Sequence, residues 1–169
     1  MLSPTLFEDA HHQTASTEST ESTVIQSLSE TLRAAHLLDF YQLPVLKPAA
    51  AQLAGQGVVF TDAIALTPSN PRFAMHPEQV VLMPMGTKQS FQIELQAEQA
   101  QMQVQGRSTR PISVRAWAAD GTLIASHVAA IEPSATTLLP AQIVRISTAG
   151  AARVEVSSKA PFTIEGIAL

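Results

Sequence analysis

Cysteine is absent from the 169-residue chain, and charged and aromatic residues are scarce. The lack of cysteine excludes disulfides, thiolate metal sites and thiol nucleophiles. Asp, Glu, Lys and Arg make up 14% of the residues, against a usual share of about a quarter. The net charge is −4 and the ten basic residues are scattered singly. The sequence therefore lacks the basic patch that binding to nucleic acid requires.

Long apolar runs are also missing. No window approaches the roughly 18 apolar residues of a membrane-spanning helix, and the N-terminus has neither the basic nor the apolar segment of a signal peptide. We expect no membrane span and no secretion signal, and the compartment stays open. The hydrophobic fraction of 46% is ordinary for a globular protein, so the chain can build a core.

The first 57 residues divide into three predicted segments. Residues 1–21 are polar, and the Ser-Thr-Glu repeat that starts at Ser16 cannot bury enough surface to fold, so we expect a disordered tail. Residues 22–40 carry apolar side chains at helical spacing and predict an amphipathic helix. Pro44 and Pro48 follow it, so residues 41–57 are interpreted as a Pro/Gly linker.

The apolar stripe of the predicted helix has two interpretations. It packs on the protein's own folded domain, or it docks into the groove of a partner protein. In the second case Ile25, Leu28 and Leu32 make the contact.

From residue 58 onward the apolar residues alternate with polar ones, which is typical of half-buried strands. Asp120-Gly121 lies between two such runs and predicts a two-residue hairpin turn. Residues 99–105 also suit a helix by composition, but their period of two favours a strand. Because no helical pattern separates the strands, we predict an all-β, antiparallel sandwich over residues 58–169. The predicted strands are residues 58–66, 79–83, 90–97, 99–105, 112–118, 122–130, 142–147, 152–157 and 162–169.

Three segments of the sandwich resemble bacterial jelly-roll, galactose-binding-like modules: residues 112–125, 150–156 and 160–169. Their order and spacing match, and the resemblance extends from about residue 58 to the C-terminus. Trp117 stands where the family has Tyr, and Glu165-Gly166 replaces an Asp-Asp pair. The resemblance implies a jelly-roll-like fold and a non-catalytic module that binds carbohydrate or mediates interactions.

The resemblance also implies a calcium site, because such modules often hold a structural Ca²⁺ between their first and last strands. Asp62 and Glu165 are the candidate ligands if those strands pair, with carbonyl oxygens completing the shell. The alternative is that both are ordinary surface acids. The five histidines have no zinc-site spacing.

No catalytic apparatus is recognisable, so we predict no catalytic residue and a protein that is not an enzyme. The chain has neither a Gly-x-Ser-x-Gly elbow nor a glycine-rich phosphate loop. Glycoside hydrolysis needs two convergent carboxylates, and the acids of this chain fall on polar strand faces or in turns.

Sugar binding remains the candidate chemistry. Trp117 shares the polar face of its strand with Arg115, where its ring can act as a stacking platform, and Gln101 and Gln103 supply amides. The alternatives are a Trp117 that faces the core and a glutamine row that is simply solvated.

We therefore predict a non-catalytic binding module whose sandwich recognises a ligand, with a glycan as the candidate. The alternative is a structural or adaptor subunit that docks through its N-terminal helix and a sheet face.

Overall fold

The computed structural model describes residues 36–131 and 137–169. Eleven strands form in this part of the chain. They are β1 (Lys47–Pro48), β2 (Val58–Thr61), β3 (Ala63–Leu66), β4 (Val81–Pro84), β5 (Ser90–Leu95), β6 (Gln101–Ser108), β7 (Ile112–Trp117), β8 (Leu123–Val128), β9 (Ala141–Ser147), β10 (Arg153–Ser158) and β11 (Phe162–Ala168). Short 3-10 turns form at Phe40–Gln42, Ala54–Gln56 and Pro71–Phe73.

The strands form two antiparallel sheets. One has six strands in the order β1-β3-β4-β11-β6-β9, and the other has five in the order β2-β5-β10-β7-β8. The all-β, antiparallel sandwich predicted from the alternating pattern is confirmed.

The core lies between the sheets and is built mainly by the alternate apolar residues of the strands. Phe91 packs between Phe60 and Phe162, with ring centroids 6.2 and 6.0 Å away. The buried side chains from the five-stranded sheet include Val58, Phe60, Phe91, Ile93, Val114, Ala116, Val154 and Val156, and those from the six-stranded sheet include Leu82, Met102, Val104, Val144, Ile164 and Ile167.

The predicted strand over residues 58–66 is in fact two strands. The break is at Asp62, whose φ of 66° lies in the left-handed region. This turn of the backbone sends β2 into the five-stranded sheet and β3 into the six-stranded sheet. Each half buries alternate residues against the same core, but the alternation shifts by one residue at the break, from Val58 and Phe60 in β2 to Ala63 and Ala65 in β3.

The glutamine-rich segment forms β6, as its period of two predicted. Met102 and Val104 are buried, while Gln101, Gln103 and Gln105 lie on the opposite face. β6 pairs with β9 and β11 along its length, and this pairing outweighs the helical preference of its residues.

The Asp120-Gly121 hairpin is present, but the prediction of a two-residue turn is wrong. The Ala118 N–H donates to the Thr122 carbonyl, so three residues, Ala119 to Gly121, form the loop. The Gly121 N–H donates to the Ala118 carbonyl, and Gly121 has a φ of 86°. A turn closed by a glycine in the left-handed region is the usual three-residue hairpin loop.

Hydrogen bonds of this loop also act on Asp120. Its carboxylate accepts from the Thr122 N–H at 2.8 Å. The backbone and side chain of Thr122 hold the pKa of Asp120 below its usual 3.8 because they stabilise the charged form.

The segment before β2 departs from its predictions. The helix predicted over residues 22–40 does not reach its predicted end, because His36 and Leu169 exchange backbone hydrogen bonds and Leu38 donates to Ile167. Residues 22–35 and the predicted tail lie outside the described residues.

The predicted linker over residues 41–57 is part of the folded unit. Leu43, Ala49 and Leu53 are buried in the core, and Lys47–Pro48 pairs with β3. Within residues 36–131 and 137–169, no helical segment has the length and apolarity needed to cross a membrane.

Candidate functional site

The outer face of the five-stranded sheet, which points away from the other sheet, carries three rows of side chains. Antiparallel pairing places directly opposite residues on the same face, and the registers of β5, β10, β7 and β8 fix each row. In strand order, the rows are Ser90–Ser157–Ser113–Val128 (the serine row), Gln92–Glu155–Arg115–Ser126 (the Glu155 row) and Glu94–Arg153–Trp117–Leu123 (the Trp117 row).

A groove of about 820 Å³ lies on this face at the serine row. The volume is within the range of small-molecule sites, about 300–1,000 Å³. Two turns rise beside the sheet here, one between β6 and β7 and the other between β10 and β11. The lining residues are Gln89, Ser90, Arg110, Pro111, Ser113, Arg115, Val128, Glu155, Ser157, Ser158 and Lys159.

The polar side chains of the serine row and the Glu155 row that line the groove are not used internally. Within the described part of the chain, the hydroxyls of Ser90, Ser113 and Ser157 and the charged groups of Arg115 and Glu155 take part in no side-chain hydrogen bond. Arg115 and Glu155 are directly opposite on β7 and β10, yet the ion pairs among the described residues are Lys88–Asp62 and Arg107–Glu165. The groove therefore presents donors and acceptors that a ligand can use.

A buried polar cluster holds the two turns together. We call Ser108, Gln142 and Ser158 the crossover cluster. The Gln142 amide accepts from the Ile112 N–H at 2.8 Å and donates to the carbonyls of Ser108 and Arg110 at 3.1 Å. The hydroxyls of Ser108 and Ser158 are 3.3 Å apart. These hydrogen bonds fix the backbone of Arg110 and hold Ser158, the residue that precedes Lys159.

Trp117 lies beside the groove rather than in it. It is half-buried on the outer face, which is one of the two orientations that the sequence leaves open, and the Arg153 guanidinium sits over its ring at 5.7 Å from the centroid. Its Nε1 is buried and has no acceptor among the described residues. Because Arg153 covers one face of the ring, the predicted stacking platform is not open on that side.

The four residues predicted to bind a ligand together do not lie together. Trp117 and Arg115 are on the outer face of the five-stranded sheet, whereas Gln101 and Gln103 are on β6 in the six-stranded sheet. Gln103 instead accepts a hydrogen bond from Arg145 of β9 at 2.8 Å. The grouping was wrong because alternation shows which face of a strand is polar but not which sheet the strand joins.

The pairing of first and last strands assumed for the calcium site is also wrong. Asp62 precedes β3, and β4 separates β3 from β11, which carries Glu165. Two strand spacings alone place the chains about 10 Å apart. Asp62 forms an ion pair with Lys88, and Glu165 forms one with Arg107. No three His, Cys, Asp or Glu residues of the described chain cluster in a way suited to a metal ion.

The Arg107–Glu165 pair is a buried structural feature of the other sheet. Arg107 Nε lies 2.6 Å from Glu165 Oε1, and the exposed fractions of the two side chains are 7% and 3%. Arg107 also donates to the Leu139 carbonyl at 2.7 Å. The pair therefore helps to hold the segment that contains Leu139 against the six-stranded sheet.

The residues predicted to dock a partner, Ile25, Leu28 and Leu32, lie outside the described residues. The sequence analysis also missed several groove residues. Glu155 and Ser157 alternate with buried valines on β10, so the period-two pattern could have identified them once their strand was placed beside β7. Arg110 and Lys159 lie in turns, where no periodic signal exists.

No family model and no curated protein matches the chain. Among solved structures, it is similar to the enzymatically active domain of tailspike protein 4 from bacteriophage CBA120, with 15% identity and a TM-score of 0.28. The match covers 66% of this chain and 18% of the tailspike chain, so the protein spans less than a fifth of that structure. A TM-score of 0.28 supports no argument about fold family or activity.

Proposed function

We propose that the protein is a non-catalytic, carbohydrate-binding module of the galactose-binding-like type, and that the groove at the serine row is its ligand site. The single observation that carries this proposal is the set of hydroxyl and charged groups in the groove that make no internal hydrogen bond. Serine hydroxyls both donate and accept, which suits the hydroxyl groups of a sugar.

The family part of the proposal rests on the segments that resemble such modules. Residues 112–125 form the β7–β8 hairpin, residues 150–156 lead into β10, and residues 160–169 form β11. β7, β8 and β10 are adjacent in the five-stranded sheet. The resemblance thus falls largely on the strands that carry the groove.

Binding is favoured over hydrolysis by the acids on this face. Glu94 and Glu155 occupy diagonal positions on β5 and β10, where residues are about 7–8 Å apart. An inverting glycosidase needs two carboxyl groups that converge on one bound sugar. Glu94, however, is exposed and lies outside the groove, so it lacks the apolar surroundings that keep a general acid protonated.

The test is a glycan array probed with the full chain and three variants. Ser157→Leu fills the middle of the serine row and should abolish binding. Ser147→Leu makes the same change at an exposed position on β9 and should bind normally. Trp117→Ala should weaken binding less than Ser157→Leu, because Trp117 does not line the groove.

Two results would overturn the proposal. One is the absence of any bound saccharide with the full chain. The other is retention of the bound saccharides by Ser157→Leu, provided that circular dichroism shows an intact fold. If Trp117→Ala alone abolishes binding, the ligand site belongs at the Trp117 row instead.

A second candidate function is assembly with another copy of the chain. β8 is an edge strand, and its Leu123 and Val128 are 46% and 57% exposed. Identical edges can pair in antiparallel fashion around a two-fold axis. Sedimentation equilibrium tests this role: a dimer that Val128→Lys dissociates supports it, and a monomer at all concentrations refutes it.

A further inference from the structure

The groove concentrates positive charge in an acidic protein. Arg110, Arg115 and Lys159 line it, and Glu155 is the acidic residue among its described lining residues, which gives a formal charge of +2. The whole chain has a net charge of −4. A concave surface of opposite sign to the rest of the molecule attracts anions.

The arginines on this face also differ from those elsewhere in the described chain. Arg72, Arg107 and Arg145 each donate a side-chain hydrogen bond to a protein oxygen. The side chains of Arg110, Arg115 and Lys159 donate none to residues 36–131 or 137–169, and none of the three is in an ion pair there. Their donors are therefore available to a ligand.

The fold brings the backbone segments that carry two of these cations, Arg110 and Lys159, close together. The Arg110 N–H donates to the Ser108 hydroxyl at 3.2 Å, and the Arg110 carbonyl accepts from Gln142. Lys159 follows Ser158, whose hydroxyl contacts both Ser108 and the Arg110 carbonyl. All three members of the crossover cluster are buried. A fixed backbone lowers the entropy cost of placing both charges around one anion.

The described lining of the groove offers a sugar no stacking surface, because none of those residues is aromatic. Affinity must therefore come from polar and ionic contacts. Guanidinium groups bind carboxylates through two parallel hydrogen bonds, and the adjacent serine row suits hydroxyls. Single-stranded nucleic acid would also supply anions, but it needs aromatic platforms for its bases.

We propose that the groove selects acidic saccharides, with a uronic-acid carboxylate bound between Arg110 and Lys159 and sugar hydroxyls on the serine row. This inference rests on the proposed function, because it specifies which carbohydrates that site takes.

The test compares acidic saccharides with neutral forms of the same sugars. Titration calorimetry on the full chain uses tetrasaccharides of galacturonate, glucuronate and mannuronate, each beside its methyl ester. At low salt we expect at least one acid to bind about tenfold more tightly than its ester, since the ester keeps the hydroxyls but loses the charge. We also expect the affinity of that acid to fall as salt is added.

Variants assign the contact to the groove. Arg110→Gln and Lys159→Gln should each weaken binding of the acid about three- to tenfold, the effect of removing one exposed charged contact. Arg145→Gln and Lys47→Gln remove the same charges from the six-stranded sheet and should leave binding unchanged. Thermal unfolding shows whether each variant is folded.

The outcomes separate this inference from the proposed function. Equal binding of acid and ester would leave carbohydrate binding in place and overturn the acidic preference. If no tetrasaccharide binds in either form, the acidic preference falls, and the glycan array alone decides the proposed function. Complete displacement of the acid by sodium sulfate, but not by sodium chloride of equal ionic strength, would reveal a plain anion site and overturn the saccharide assignment. Equal losses in the groove and control variants would overturn the assignment of the residues.

Discussion

The Gln142→Met variant should be less stable to unfolding than a variant with a change of similar size on the protein surface. Gln142 is 1% exposed, and its amide makes three hydrogen bonds to the backbone of the β6–β7 crossover. Methionine has nearly the same volume, so the change creates little cavity. It does leave the Ile112 N–H and the carbonyls of Ser108 and Arg110 without that partner.

The expected loss follows from those three groups. A buried donor or acceptor that loses its partner costs about 1–3 kcal/mol. The bonds to Ile112 and Ser108 are buried, whereas the bond to the Arg110 carbonyl is only partly buried, so water can replace it. Two full penalties amount to about 2–6 kcal/mol of unfolding free energy. In a domain of this size, the middle of that range corresponds to a fall in Tm of about 10 °C.

Urea unfolding followed by the fluorescence of the single tryptophan, Trp117, measures the effect. The matched control is Gln101→Met, at an exposed position of β6, where we expect a change within about 0.5 kcal/mol. The slope of free energy against urea should be the same for both variants if only stability changes. A loss of less than about 1 kcal/mol in folded Gln142→Met would refute the reasoning, because one unpaired buried group alone should cost that much.

Two further predictions concern charged groups. Arg107→Leu should lower the free energy of unfolding by about 3–5 kcal/mol, because it leaves the buried Glu165 carboxylate without its partner. The double variant that also carries Glu165→Leu should recover most of that loss. Urea unfolding of the wild type, both single variants and the double variant checks this, and a double variant no more stable than Arg107→Leu would contradict it. For Asp120, the folded-state pKa lies below 3.8, so its hydrogen bonds with Thr122 stabilise the fold above that value and are lost as pH falls through the folded-state pKa. Asp120→Asn should therefore reduce the pH dependence of thermal unfolding in the acid range, and an NMR titration of Asp120 with a midpoint at or above 3.8 would contradict the assignment.

The sequence predicts the inner and outer faces of β5, β6 and β7 correctly. Val114 and Ala116 are buried while Arg115 and Trp117 lie on the opposite face, because a strand turns successive side chains to opposite sides. The same rule assigned the Gln101–Gln105 stretch to a strand against its helical composition. Burial of one face against the core is thus the strongest signal in this chain.

The path of the chain before β2 was not predictable from local patterns. Pro44 and Pro48 mark a segment without regular secondary structure, and from the sequence such a segment is interpreted as a linker. Leu43, Ala49 and Leu53 nonetheless fill the core, because an irregular segment can bury single apolar side chains if its backbone finds partners. The Ala63 carbonyl is one such partner, because it accepts a hydrogen bond from the Ala49 N–H.

The groove itself depends on information that local alternation does not contain. The break at Asp62 and the crossover at Pro111 decide which sheet the following strand joins, and the alternation within a strand does not show that choice. Arg110 and Lys159 come together only because the β6–β7 and β10–β11 turns meet over the crossover cluster. A sequence pattern can therefore identify the polar face of β7 but not the charges beside it.

If the groove binds a ligand as proposed, the crossover cluster makes fold stability and ligand binding depend on the same hydrogen bonds. Gln142 lies on the buried face of β9, yet its amide holds the Arg110 carbonyl at the rim of the groove. If the position of Arg110 matters for the anion, Gln142→Met should weaken binding of an acidic saccharide even at temperatures where the variant is fully folded. If Gln142→Met is less stable but binds the acidic saccharide normally, the Arg110 side chain can bind the carboxylate without a fixed backbone. The cluster would then serve the fold alone.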